Sequence, residues 1–149
     1  MQIEHLWQRQ AVPLIAPEAP LVGTGMEKEV GIYSRHAVLA KRDGKVIRIE
    51  SNKIYIAVQS QEGAYEIDKY DLNNFVRSNQ DTCFSQKPIV KIGDYVKKGQ
   101  VIADGPTMDK GELALGRNMV VAFVPWRGYN YEDGITISRR VVEEDLFTS

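Results

Sequence analysis

The chain has 149 residues, 43% of them hydrophobic and 26% charged, which suits one soluble globular domain with a core of its own, or a domain plus appendages. A formal net charge of −1 excludes a uniformly basic glove for nucleic acid, so any phosphate contact must come from local clusters. No apolar run reaches membrane-spanning length, and the single cysteine, Cys83, cannot form an internal disulfide and fits a reducing cytoplasm.

In chain order, Met1 to Gln10 reads as a short helix ended by the approach to Pro13. Pro13, Pro17 and Pro20 impose an extended, irregular stretch. Gly23-Thr24-Gly25 carries a Gly-x-Gly, but Met26 and Glu27 replace the rest of a dinucleotide fingerprint, so a phosphate loop is rejected there. Ala37 to Ile67 reads as a β-meander. Ala37–Ala40 is one strand, Val46, Ile47 and Ile49 belong to a second, and Ile54, Ile56 and Val58 alternate in a third. Tyr65 and Ile67 mark a fourth, with turns at Asp43-Gly44 and Ser51-Asn52. Tyr70 to Ser78 is ambiguous and admits a turn of helix.

The run from Ile89 to Pro106 has short strands divided at Gly93-Asp94 and Lys98-Gly99, a pattern that resembles lipoyl- and biotinyl-type barrel-sandwich domains. It predicts Val96, Val101 and Ile102 facing inward and Lys97 and Lys98 in water. Gly111 to Gly116 reads as a small loop or helical turn. Asn118 to Val124 reads as a strand buried on both faces. Ile135 and Ile137 continue as another strand, and Arg140 to Phe147 opens a helix with Glu143, Glu144 and Asp145 outward.

The main chemical signal is Glu132-Asp133, set in the aromatic, glycine-punctuated stretch Trp126-Arg127-Gly128-Tyr129-Asn130-Tyr131. Magnesium suits one or two carboxylates, retained waters and substrate phosphates. The plainer reading is a solvated pair at a turn, and composition alone favours it. In an extended chain, alternation would let only one of the two face a given site. Gln8, Arg9 and Gln10 carry side chains able to fork onto phosphate or bond sugar hydroxyls, against the plainer reading of a helix surface. The basic residues between Arg35 and Lys53, and those between Lys87 and Lys98, read chiefly as solvated faces. Lys110 lacks the flanking residues of a lipoyl-carrier lysine. His5 and His36 have no zinc spacing, Cys83 lacks an activating neighbour, and Ser138 lacks a nucleophile signature.

Four ordered blocks carry a resemblance: Gln8 to Pro13, Val22 to Glu27, Arg77 to Cys83, and Ala103-Asp104-Gly105-Pro106 running on to Gly116. The acidic loop and Val141 to Ser149 follow. Together they resemble an internal piece of the bacterial DNA-directed RNA polymerase β subunit, from Gln8 onward. Met1 to Trp7 departs from that pattern.

The resemblance implies a mainly β fold with short helices, in which a barrel-sandwich hybrid module is inserted in part of a double-psi β-barrel. Residues 1–20 would contribute to the active-site barrel, 21–106 would form the module, and 107–149 would supply barrel strands, the acidic loop and the start of a helix. It implies a part in RNA–DNA hybrid binding and in the nucleotide-proximal side of the active site. Glu132 and Asp133 would lie near the second Mg2+, and Gln8, Arg9 and Gln10 near the RNA. The implied partners are the remaining β segments, the β′, α and σ subunits, template DNA and nucleoside triphosphates, in the bacterial cytoplasm or nucleoid. The main magnesium ligands would come from β′. No Asp-x-Asp-x-Asp pattern occurs here, so the chain alone is expected to be inactive. The rival expectation is a non-catalytic β scaffold or protein-interaction module.

Overall fold

The computed structural model describes residues 10–59, 63–79 and 81–149. The expected helix over Met1 to Gln10 falls almost wholly outside the described residues. Within them the chain is mainly β, with several small antiparallel sheets and two short helices, α1 (Glu27–Tyr33) and α2 (Arg139–Glu143).

The largest sheet is built on β2 (Gly44–Glu50) and β3 (Lys53–Gln59), joined through a turn at Ser51-Asn52. Ile54, Ile56 and Val58 alternate with Lys53, Tyr55 and Ala57, so a period of two puts the branched side chains on one face. β4 (Tyr65–Asp71) pairs with β3, and β8 (Tyr95–Val96) pairs with β2, giving the order β4-β3-β2-β8. The β2–β3 register shifts between Val46 and Arg48, leaving Ile47 as an extra residue in a bulge. Beyond it, Arg48 points to solvent and Ile49 packs against the core.

A second sheet has the order β1-β9-β7, from β1 (Val38–Leu39), β7 (Lys87–Pro88) and β9 (Val101–Asp104). The two sheets share one apolar cluster. Val46, Ile54, Ile56, Val58, Tyr70 and Val96 come from the first, and Ile102 and Ala103 from the second. Val46, Ile54, Ile56 and Ile102 are fully buried, each worth roughly 1.5–3 kcal/mol of transfer free energy. The link between sheets is fastened at the edge strand. Arg42 bonds Glu66 at 2.6 Å and Asp68 at 2.5 Å, and the Lys41 N–H donates to the buried Tyr70 hydroxyl at 2.9 Å.

Two hairpins complete the β structure: β5 (Val76–Arg77) with β6 (Cys83–Phe84), and β10 (Met108–Asp109) with β11 (Glu112–Leu113). Thus the Tyr70 to Ser78 stretch holds strand rather than helix, and Gly111 to Gly116 opens in a hairpin. α1 packs on β11. A Cβ on Gly31 would lie 2.9 Å from the Gly111 carbonyl oxygen, so glycine lets helix and hairpin close together.

The expected doubly buried strand over Asn118 to Val124 is not observed. Val120 and Phe123 are fully exposed, and among the described residues the segment enters no strand ladder. Ile135 and Ile137 are likewise exposed and outside any strand. An apolar run becomes a buried strand only where an edge accepts its backbone bonds, and among the described residues none does. α2 forms where the terminal helix was expected, with Val141 and Leu146 buried and Glu143, Glu144 and Asp145 exposed.

Candidate functional site

The acidic loop is held in shape by Asn130. Its carboxamide accepts the Trp126 N–H at 2.8 Å and donates to the Val124 carbonyl at 2.7 Å. Successive turns follow, with the Tyr129 N–H on the Trp126 carbonyl at 2.9 Å and the Gly134 N–H on the Tyr131 carbonyl at 3.1 Å. Glu132 adopts φ 55°, a left-handed conformation uncommon outside glycine. The chain therefore turns at the acid pair instead of running extended, and the expectation that alternation admits only one carboxylate to a site loses its premise. Gly134 closes the turn, since a Cβ there would lie 2.9 Å from the Tyr129 carbonyl oxygen.

Glu132 and Asp133 are exposed. Among the described residues neither makes a hydrogen bond or ion pair. Their lone pairs face solvent, and the Arg127 guanidinium lies over the Trp126 ring, 5.8 Å from its centroid, in the same loop. Among the described residues no group of three or more His, Cys, Asp or Glu side chains could hold a metal. Two carboxylates without further protein ligands fit a share in a hydrated magnesium site, not a complete cage.

Gln8 and Arg9 lie outside the described residues. Gln10 is exposed, and among the described residues nothing links it to Glu132 or Asp133. The N-terminal segment does reach the C-terminal part. Ile15 donates to the Thr148 carbonyl at 2.9 Å, and Glu18 forms a bridge with Gly116. Ala19 donates to Asp109 at 3.1 Å, while Asn118 bonds both Leu21 and Ala19.

Two further acids organise their surroundings. Asp104 is buried and accepts the Gly111 N–H at 2.7 Å. Burial pushes its pKa up, against the pull of the Gly111 and Lys110 amides. Lys110, at φ 52°, sits in the tight β10–β11 turn over this carboxylate. Glu27 accepts the Thr24 and Gly25 N–H groups, each at 2.9 Å. These amide bonds, Thr24's first, lower its pKa. The glycine loop thus holds the chain's own carboxylate, which agrees with the rejection of a phosphate loop. Thr24-x-x-Glu27 has the spacing of a capping box, but the N-cap of α1 is Met26, and of the box's bonds only that of Glu27 to the Thr24 N–H is formed.

Residues 39–149 match the family model of RNA polymerase Rpb2, domain 6, and the chain belongs to that family. Among curated relatives, the DNA-directed RNA polymerase subunit beta of Fervidobacterium nodosum is 57% identical over 150 residues, covering 95% of this chain and 13% of the relative. The subunit beta of Rickettsia prowazekii is 57% identical over 144 residues, covering 95% and 10%. That of Treponema denticola is 58% identical over 142 residues, covering 95% and 12%. The chain therefore spans 10–13% of the length of these relatives.

Proposed function

We propose that this chain is the nucleotide-proximal, hybrid-facing portion of a DNA-directed RNA polymerase β subunit. In this reading residues 21–106 are a barrel-sandwich hybrid module, and residues 1–20 and 107–149 are parts of a double-psi barrel completed by the remaining β segments. The observation that carries it is the Glu132-Asp133 pair, displayed without partners among the described residues at a turn that Asn130 pins. Its partners are β′, α and σ, template DNA, the RNA–DNA hybrid and nucleoside triphosphates, in the bacterial cytoplasm or nucleoid.

The mechanism assigned to these residues is electrostatic. A second magnesium, with its main ligands from β′, would supply charge neutralisation on the incoming triphosphate when bound. Glu132 and Asp133 would help hold it, with lone pairs that no protein donor occupies among the described residues. Their turn conformation is fixed before substrate arrives, which avoids reorganisation during transfer. Gln8, Arg9 and Gln10 hold the RNA backbone by hydrogen bonds. The chain alone lacks the carboxylates for a first metal and carries out no nucleotide addition.

The test is reconstitution. The chain is co-expressed with the missing β segments, β′ and α, purified through its own tag and assayed for RNA extension on a nucleic-acid scaffold. Changing Glu132→Gln and Asp133→Asn together is expected to slow nucleotide addition about 100-fold or more, with hybrid retention unchanged. Template-dependent synthesis by the isolated chain, equal loss of addition and retention, or no loss of either overturns the assignment. A folded chain that assembles with none of these subunits favours the scaffold reading instead, because its apolar cluster is built without the acidic loop.

A further inference from the structure

We infer that the outer face of the four-stranded sheet is a binding surface for single-stranded nucleic acid, separate from the acidic loop. Strand register places its side chains in rows. Tyr95, Lys45, Ala57 and Ile67 share one row, and Arg48, Tyr55 and Lys69 share the next. Each of two tyrosines has a cation beside it. The Lys45 ammonium lies 5.4 Å from the Tyr95 ring centroid, and the Arg48 guanidinium lies 5.9 Å from that of Tyr55.

Aromatic faces flanked by cations are what a single strand requires, with bases stacking on the rings and phosphates meeting the charges. A duplex keeps its base faces stacked on one another and offers the tyrosines nothing. Tyr95 and Tyr55 stand on strands separated by β2, about 10 Å apart across the sheet, so each receives its own base. Between them on β2 stand Lys45 and Arg48.

The charge balance on the face also favours an anion, although the whole chain carries −1. Lys45, Arg48, Lys53 and Lys69 oppose two carboxylates, Glu50 and Asp71. Glu50 pairs with Arg48 at 2.8 Å, and Asp71 reaches Lys69 only at 3.8 Å. Arg48 and Lys69 keep much of their side chains in solvent; Tyr95 is 78% exposed, while Tyr55 is half-buried and donates its hydroxyl to Glu50 at 3.4 Å. This surface lies within the 21–106 module of the function proposed above but involves neither Glu132 nor Asp133, so it is separate from the metal assignment.

The test is fluorescence anisotropy of the full chain with a labelled single-stranded RNA of about 12 nucleotides, with a duplex DNA of the same length as comparator. The single strand is expected to bind more tightly than the duplex. Its affinity should fall with salt at a log–log slope of about −2, corresponding to three phosphates neutralised by Lys45, Arg48 and Lys69. Changing these three to alanine should flatten the slope. Tyr95→Thr and Tyr55→Ile, which keep β-forming side chains, should each weaken binding about tenfold. The anisotropy reads binding with no metal-dependent step, so failure of the metal assignment does not touch this one. Thermal melting confirms that each variant is folded. Equal affinity for the duplex, full binding by the folded tyrosine variants, or equally effective competition by poly-glutamate overturns the proposal.

Discussion

Asp104 places a carboxylate where water is scarce, and the molecule tolerates it because the β10–β11 turn aims backbone amides at the charge. Asp104→Ala strands those donors in a buried place and is expected to cost about 1–3 kcal/mol, read from chemical denaturation. Asp104→Asn keeps an acceptor oxygen and should cost less. The pH dependence has a definite sign. Burial raises the folded pKa of Asp104 above its ordinary 3.8, so the folded state holds this proton more tightly than the unfolded one. Stability from this group therefore falls as pH rises through that window, and the loss persists above it. Asp68 runs the other way. The Arg42 hydrogen bond lowers its pKa, so its contribution is present above 3.8 and is lost as pH falls through the folded value. Thermal melts of Asp104→Asn across the acidic range should lack the Asp104 decline and retain the acid loss due to Asp68. In the sequence Ala103-Asp104-Gly105-Pro106 carries the family resemblance but no sign of a buried acid, because the covering hairpin is a tertiary arrangement. The opposite holds at Glu27, where Thr24-x-x-Glu27 is a local pattern legible without coordinates.

Among the elements, the β2–β3 hairpin was legible because Ile54, Ile56 and Val58 alternate across a Ser51-Asn52 turn. Val96 and Ile102 are buried as expected, while Val101 is only half-buried. The expected Asp43-Gly44 turn is displaced. Gly44 already belongs to β2, and a Cβ there would lie 2.6 Å from the Ala57 carbonyl oxygen. The segment from Asn118 to Val124 misleads because hydrophobicity records an appetite for burial, not the presence of an edge to satisfy it. Burial also separates residues of one chemistry. Ile56→Ala should destabilise the chain by about 2–5 kcal/mol. Ile67→Ala, at a position 63% exposed, should change stability by no more than about 0.5 kcal/mol. Urea unfolding of the two variants checks the contrast, and equal losses would contradict the sheet assignment.

Over the whole molecule, order is distributed unevenly. The shared apolar cluster lies between Val38 and Ala103, whereas residues 119–138 are nearly all exposed and enter no ladder. Limited chymotrypsin digestion is therefore expected to cut first at Phe123, Tyr129 or Tyr131, and to reach the buried Tyr70 only after global unfolding. Mass spectrometry of the early fragments reads this directly, and early cleavage at Tyr70 would refute it. The bulge at Ile47 has a consequence on the scale of descent. A strand sorts its residues by parity, and the extra residue resets odd and even halfway along β2. Straightening the strand with Ile47 kept in the ladder would turn Arg48 toward the apolar cluster and Ile49 toward water, whereas deleting Ile47 would leave plain alternation with both on their present faces. Lineages carrying this hairpin should therefore lose a residue at Ile47 more readily than at any paired position of β2.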